Sequence, residues 1–108
     1  IKFFKFDNAY FINKDVMKIR KNFFNKKKFS LVILDLDLYK PTMKILEIIE
    51  KHISKNALLI FDQANTAVWK GEKLAVNNFL KKYKNYKILK KIKFYQPDVI
   101  IKKLRNFS

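Results

Sequence analysis

Two uninterrupted apolar runs, Leu31-Val32-Ile33-Leu34 and Ala57-Leu58-Leu59-Ile60-Phe61, each stop on an aspartate, Asp35 and Asp62. A run without polar alternation suits a strand covered on both faces, as in a parallel sheet, and parallel neighbours need a crossover between them. The intervening segment supplies one. Pro41 suits a first helical turn, where its missing N–H has no partner to lose. Beyond it Ile45, Leu46, Ile49 and Ile53 recur on one helical face, and the helix is expected to fade near Ser54-Lys55-Asn56.

The flanks extend the alternation. Tyr10-Phe11-Ile12 reads as a short strand after a lead-in rich in phenylalanine (Phe3, Phe4, Phe6). Val16 to Phe24 reads as a short helix with Val16, Ile19, Phe23 and Phe24 on one side. A polar loop runs on through Gly71, and Glu72 to Tyr83 then forms a helix facing inward with Ala75, Val76, Phe79, Leu80 and Tyr83. Tyr86 to Tyr95 and Val99 to Leu104 pair as an antiparallel hairpin about Gln96-Pro97-Asp98, supported by the alternation of Ile88, Lys90, Ile92 and Phe94.

The fold class is therefore α/β. It corresponds to the C-terminal half of a Rossmann-like doubly wound sheet, with parallel strands, right-handed crossover helices and a closing antiparallel hairpin. No repeat or linker divides residues 1–108, so they form a single partial domain. The N-terminal half of such a sheet carries a glycine-rich turn where the backbone approaches a cofactor. Gly71 is the one glycine, and it stands elsewhere. A chain opening on Ile1 rather than methionine agrees with a fragment or a processed product.

Composition closes other routes. There is no cysteine and one histidine, His52, which excludes disulfides, thiolate zinc sites and a His-rich metal site. No run reaches the roughly 18 apolar residues of a membrane span, and no signal peptide is visible in these residues, so a cytoplasmic location is expected. The net charge of +16 invites a nucleic-acid reading. Yet 23 of the 25 basic residues are lysine and only Arg20 and Arg105 are arginine, the residue that bidentate phosphate and guanine recognition favours. Abundant Lys, Asn, Ile and Phe beside scarce Gly, Ala, Pro and Arg match an AT-rich coding bias, and nucleic acid is not the expected partner.

If the two apolar runs are neighbouring parallel strands, Asp35 and Asp62 emerge side by side where open α/β sheets bind ligands. Paired carboxylates repel unless a proton or a cation lies between them. Mg²⁺ suits such hard oxygen donors while keeping several waters. The alternative is that one aspartate caps a helix and the other turns a loop.

The sequence Asp35-Leu36-Asp37-Leu38-Tyr39-Lys40-Pro41-Thr42 resembles the D-x-D-L-Y-x-P/S-T segment of the macrocin O-methyltransferase (mycinamicin methyltransferase-like) family, within the class I S-adenosylmethionine-dependent methyltransferases. Leu58-Leu59-Ile60-Phe61-Asp62-Gln63 is similar to its second strand, v-i-f-D-D-Y. Trp69-Lys70-Gly71-Glu72-Lys73-Leu74-Ala75-Val76-Asn77-Asn78-Phe79 is similar to its W-P-G-x-x-x-A-v-x-e-F segment. The likeness spans roughly Phe29 to Tyr83. It implies methyl transfer from S-adenosylmethionine to a hydroxyl on a sugar, glycan or similar small molecule. It further implies Mg²⁺ held by Asp35, Asp62 and position 63, with Asp35 as the catalytic base. Three positions depart from the family: Gln63 for the second aspartate, Lys55-Asn56 for a Gly-Gly turn, and Lys70 for proline. Asn tolerates the left-handed conformation such a turn needs.

Tyr39 either lines the substrate pocket or packs under the helix, and Trp69 either covers the substrate or anchors its loop. Asp37 reads as a loop or helix-start carboxylate, and His52 as a solvated side chain on the polar side of its helix. The residues that would hold S-adenosylmethionine are not identified. The expected partners are a small-molecule hydroxyl substrate and either a second copy or the missing N-terminal half. Two rival readings remain: a small basic module binding nucleic acid or an anionic surface, and a non-catalytic remnant that works only when paired with a separate N-terminal half.

Overall fold

A computed structural model describes residues 8–62, 64–65, 70–92 and 96–105. Strand β1 (Phe29–Leu34) leads into helix α1 (Tyr39–Ile49), a 3₁₀ turn (Glu50–His52) and strand β2 (Ile53–Phe61). Helix α2 (Lys70–Lys82) and the strands β3 (Tyr86–Lys91) and β4 (Val99–Lys103) follow. The sheet order is β1-β2-β4-β3. β1 and β2 are parallel, with Leu31 opposite Leu58 and Leu34 opposite Phe61. β4 runs antiparallel to both β2 and β3. The architecture is mixed α/β with a parallel pair and a terminal hairpin.

Burial follows the period of two that a strand imposes. In β2, Ala57, Leu59 and Phe61 are buried while Leu58 and Ile60 are half-covered. Ile45, Leu46, Ile48 and Ile49 of α1 and Val76 and Phe79 of α2 join Leu59, Phe61, Val99 and Ile101 in one core, so both helices cover the same sheet face. Phe79 anchors it, with ring centroids 4.9 Å from Tyr83 and 5.0 Å from Tyr86. A fully buried aromatic or leucine side chain of this kind contributes about 1.5–3 kcal/mol.

The opposite face is apolar and no described helix lies on it. Ile33, Ile60 and Ile100 form one cross-strand row, and Leu31 and Leu58 begin a second that continues to Lys102. Leu31 is 53% and Ile33 65% exposed. β1 is therefore covered on one face only, contrary to the both-face burial its composition predicts. It also pairs on one edge only, because it is the outermost strand of the described sheet.

Other expectations need correction. Tyr10-Phe11-Ile12 forms no strand; all three side chains are exposed and no strand among the described residues pairs with them. Val16 to Phe24 is not one helix but a 3₁₀ turn (Val16–Lys18), with Asp15 accepting the Met17 N–H at 2.9 Å, followed by turns. Its four apolar side chains nevertheless pack on the core. α1 stops at Ile49, so Ile53 belongs to β2, and Lys55-Asn56 lies inside that strand. Asn56 has φ 68, the left-handed conformation expected of a glycine substitute. Gly71 sits in the first turn of α2 rather than in a loop. A register shift between Ile88 and Lys90 breaks the alternation of β3 and leaves Ile88 exposed. His52 is buried rather than solvated: Nδ1 lies 3.0 Å from the Lys27 carbonyl, and the Phe24 and Phe29 rings flank it. Phe3, Phe4, Phe6, Gln63, Trp69, Phe94 and Tyr95 lie outside the described residues.

Candidate functional site

Because β1 and β2 are parallel and in register at Leu34 and Phe61, the chain leaves both at the same edge of the sheet. The Asp62 N–H donates to the Leu34 carbonyl at 3.1 Å, extending the ladder one step past the strands. Asp35 and Asp62 therefore stand side by side. Burial holds the Asp62 carboxyl above the usual carboxylate range. The negative charge of Asp35, a side-chain hydrogen bond with it, and the charges of Asp37 and Asp98 raise it further. Two carboxylates side by side repel one another, so with both ionised this edge is a site short of positive charge. Asp35 is exposed and Asp62 half-covered, which leaves both within reach of a ligand.

The segment that follows Asp35 is tightly folded. Leu38 N–H donates to Leu36 C=O at 2.6 Å around Asp37, whose φ is 61. A left-handed aspartate closing so small a turn stores strain on the order of 1–3 kcal/mol. The Thr42 hydroxyl donates to Leu38 C=O at 2.6 Å and fixes where α1 begins. Gly71 then brings α2 against this same turn. A Cβ at position 71 would lie 2.7 Å from the Tyr39 backbone nitrogen and 3.0 Å from the Asp37 carbonyl oxygen. The chain spends its one glycine where the first turn of α2 meets the backbone beside the acidic edge.

Asp98, read in the sequence only as part of a turn, organises the other side. It is buried, and its two carboxylate oxygens accept the N–H groups of Ala64 at 2.7 Å and Asn65 at 2.8 Å. Its own N–H donates to Phe61 C=O at 3.2 Å, and the Asn65 amide donates to Ile92 C=O at 2.8 Å. The hairpin turn thus holds the chain that leaves β2 immediately after Asp62. A buried aspartate capping N–H groups more than thirty positions away gives no local sequence signal.

The other predicted residues are placed less centrally. The Tyr39 hydroxyl accepts a hydrogen bond from Asn78 of α2 at 3.2 Å, so its half-buried ring bridges the two helices. Asp37 is exposed beside the pair and contributes charge. Gln63 and Trp69 are outside the described residues. Among the described residues no group of three or more carboxylate or histidine side chains gathers as a metal site. Both Asp98 oxygens are committed to backbone N–H groups, so the adjacent pair Asp35 and Asp62, with the exposed Asp37 nearby, supplies the acidic donors. Two adjacent carboxylates fit Mg²⁺, which typically takes one or two and keeps water in its remaining positions.

No family model and no curated protein matches the sequence. Among solved structures, the chain is similar in fold to the apo structure of CalS11, a TDP-rhamnose 3'-O-methyltransferase and an enzyme of calicheamicin biosynthesis. The TM-score is 0.66 and the sequence identity 23% over 85% of this chain. The match spans 39% of that enzyme, well under half its length. No helix among the described residues is long and apolar enough to cross a membrane. The chain has a mixed α/β fold like that of the matched part of this enzyme.

Proposed function

We propose that this chain is the C-terminal part of an S-adenosylmethionine-dependent O-methyltransferase domain whose acceptor is a hydroxyl on a sugar or similar small molecule. The observation that carries the reading is the Asp35–Asp62 pair at the carboxyl end of adjacent parallel strands, with the Asp62 carboxyl raised by burial and by its acidic neighbours. The fold likeness to a sugar O-methyltransferase supports the same reaction class. When bound, S-adenosylmethionine supplies the methyl group and its sulfonium leaving group, and Mg²⁺ supplies polarisation of the acceptor oxygen.

The roles of the chain's own residues follow from position. Asp35, the more exposed of the pair, receives the acceptor hydroxyl proton on a carboxylate oxygen as the oxygen attacks the methyl carbon. Asp62, whose backbone N–H is bonded to the Leu34 carbonyl, sets the second carboxylate beside it and would hold the cation together with Asp35. Gln63 is the third donor in this reading; its amide oxygen is neutral, so Gln63→Asp is expected to tighten Mg²⁺ binding.

The bare sheet face supports the view that the domain is incomplete. Parallel strands are normally buried on both sides, yet no helix among the described residues lies on the row Ile33, Ile60 and Ile100, and no described strand pairs with the outer edge of β1. A further layer with a strand beside β1 would bury them and carry the cofactor turn.

The test fuses this chain behind the N-terminal portion of the TDP-rhamnose enzyme and measures S-adenosylmethionine binding by calorimetry, then transfer of labelled methyl to TDP-rhamnose. The chain alone is expected to bind no S-adenosylmethionine, and the fusion to bind it and methylate. A folded fusion that binds the cofactor and transfers equally well with Asp35→Asn contradicts the proposal.

A further inference from the structure

Five of the nine residues lining one groove are cationic, against 25 basic residues in the whole chain of 108. Arg20 and Lys21 come from the turn after the 3₁₀ segment, Lys44 and Lys51 from α1 and the turn that ends it, and Lys82 from the end of α2. Ile19, Ile48 and Tyr83 provide apolar surface between them. The groove encloses about 600 Å³, within the range of small-ligand sites. We propose that this groove is a second binding site, for a small phosphorylated molecule of the size of a nucleoside diphosphate. The proposal does not depend on the reaction assigned to the acidic edge.

Its place in the fold separates the two sites. α1 starts beside Asp35 and runs back along the sheet, so the half of α1 from Lys44 onward lies toward the rim where β2 begins. The acidic edge is at the other rim. The two therefore bear opposite charge at opposite ends of the strands.

Two ordinary causes of clustered lysines do not account for the groove. Compensation of helix dipoles draws lysine to helix C-termini, which covers Lys82 and the neighbourhood of Lys51 but not Arg20, Lys21 or Lys44. Local ion pairing accounts for one cation: Lys82 lies 3.2 Å from Glu47, the one carboxylate in the lining. Lys44 donates to the Met17 carbonyl, in the 3₁₀ segment that precedes Ile19 and Arg20 of the lining. Lys28 donates to the Lys51 carbonyl at 3.3 Å and adds charge nearby. Several cations around a partly apolar recess suit two linked phosphates with a flat organic group beside them.

The groove is tested on the intact chain at physiological ionic strength with three probes: inorganic pyrophosphate, adenosine diphosphate and a labelled single-stranded oligonucleotide. Arg20→Glu with Lys21→Glu reverses two exposed charges in the groove; Lys87→Glu with Lys91→Glu makes the same charge change on exposed positions of β3. Pyrophosphate and adenosine diphosphate are expected to bind one site competitively. The groove pair should weaken both about tenfold or more, the equivalent of about one charge-assisted contact, and the β3 pair less than about threefold. Equal loss in both pairs would assign binding to the overall +16 field and overturn the proposal. So would no binding of either small phosphate. Tight oligonucleotide binding with a steep salt dependence, lost in the groove pair while pyrophosphate fails to bind, would make the groove a nucleic-acid surface instead.

Discussion

The backbone nitrogen of Tyr39 lies 2.7 Å from where a Cβ on Gly71 would sit, so the first turn of α2 and the first turn of α1 touch through main-chain atoms. Backbone cannot rotate aside as a side chain can. Gly71→Ala gains about 1 kcal/mol of helix propensity, but it must push α2 away from the Asp37–Tyr39 turn, which costs about 1–3 kcal/mol of overpacking and lost contact. A lower urea midpoint is expected, and a raised one would show that the two helix starts separate without penalty.

The raised Asp62 carboxyl sets a pH dependence with a definite sign. The folded chain holds that proton more tightly than the unfolded chain does, so this group favours folding as pH falls toward its raised range and opposes folding once ionised at neutral pH. Asp62→Asn is therefore expected to be at least as stable as the wild type at neutral pH. The difference should shrink as pH falls into the carboxylate range. Denaturant titrations of both proteins at several pH values measure it. A wild type that gains on the variant as pH rises would reverse the sign.

A buried network ties the hairpin to the turn after α1. Lys103 Nζ donates to the Ile53 carbonyl at 2.9 Å and the Glu50 carbonyl at 3.1 Å and lies 3.4 Å from the Glu50 carboxylate, to which the Tyr86 hydroxyl also donates. Burial and that carboxylate push the Tyr86 hydroxyl far above its usual range. Glu50→Ala leaves a buried ammonium without its counter-charge and is expected to cost about 3–5 kcal/mol. Combining it with Lys103→Met should recover a large part of that loss. Additive losses in the double variant would show that the two charges do not interact.

Asp98→Ala removes the acceptor of two backbone N–H groups in the segment after Asp62. The expected loss is about 3 kcal/mol of stability, with a weaker hold on any cation at the acidic edge. Backbone hydrogen exchange at Ala64 and Asn65 reports it directly, and unchanged protection there would contradict the capping role.

The parts of the fold legible in the sequence were those written in local pattern. The two apolar runs gave parallel strands, and the stripe from Ile45 to Ile49 gave a helix between them. Asn56 took the left-handed conformation of the glycine it resembles. What escaped was decided by distant contacts. His52 reads as solvated because its helix neighbours are polar, but Phe24 and Phe29 close over it. Tyr10 to Ile12 has the composition of a strand yet finds no partner strand among the described residues. Lys103 and Glu50, both charged, are buried because they pair with each other and with the Ile53 carbonyl and the Tyr86 hydroxyl, all distant in sequence from at least one of them. The adjacency of Asp35 and Asp62 was foreseeable from strand order, whereas the support from Asp98 was not, since no spacing links a turn residue to N–H groups at 64 and 65.

Magnesium titration by calorimetry, on the intact chain and on Asp35→Asn and Asp62→Asn, tests the shared-cation edge most directly. The wild type is expected to bind one ion, with either substitution weakening it about tenfold or more. Equal magnesium binding in all three proteins would contradict the account, because the pair would then hold no common ion.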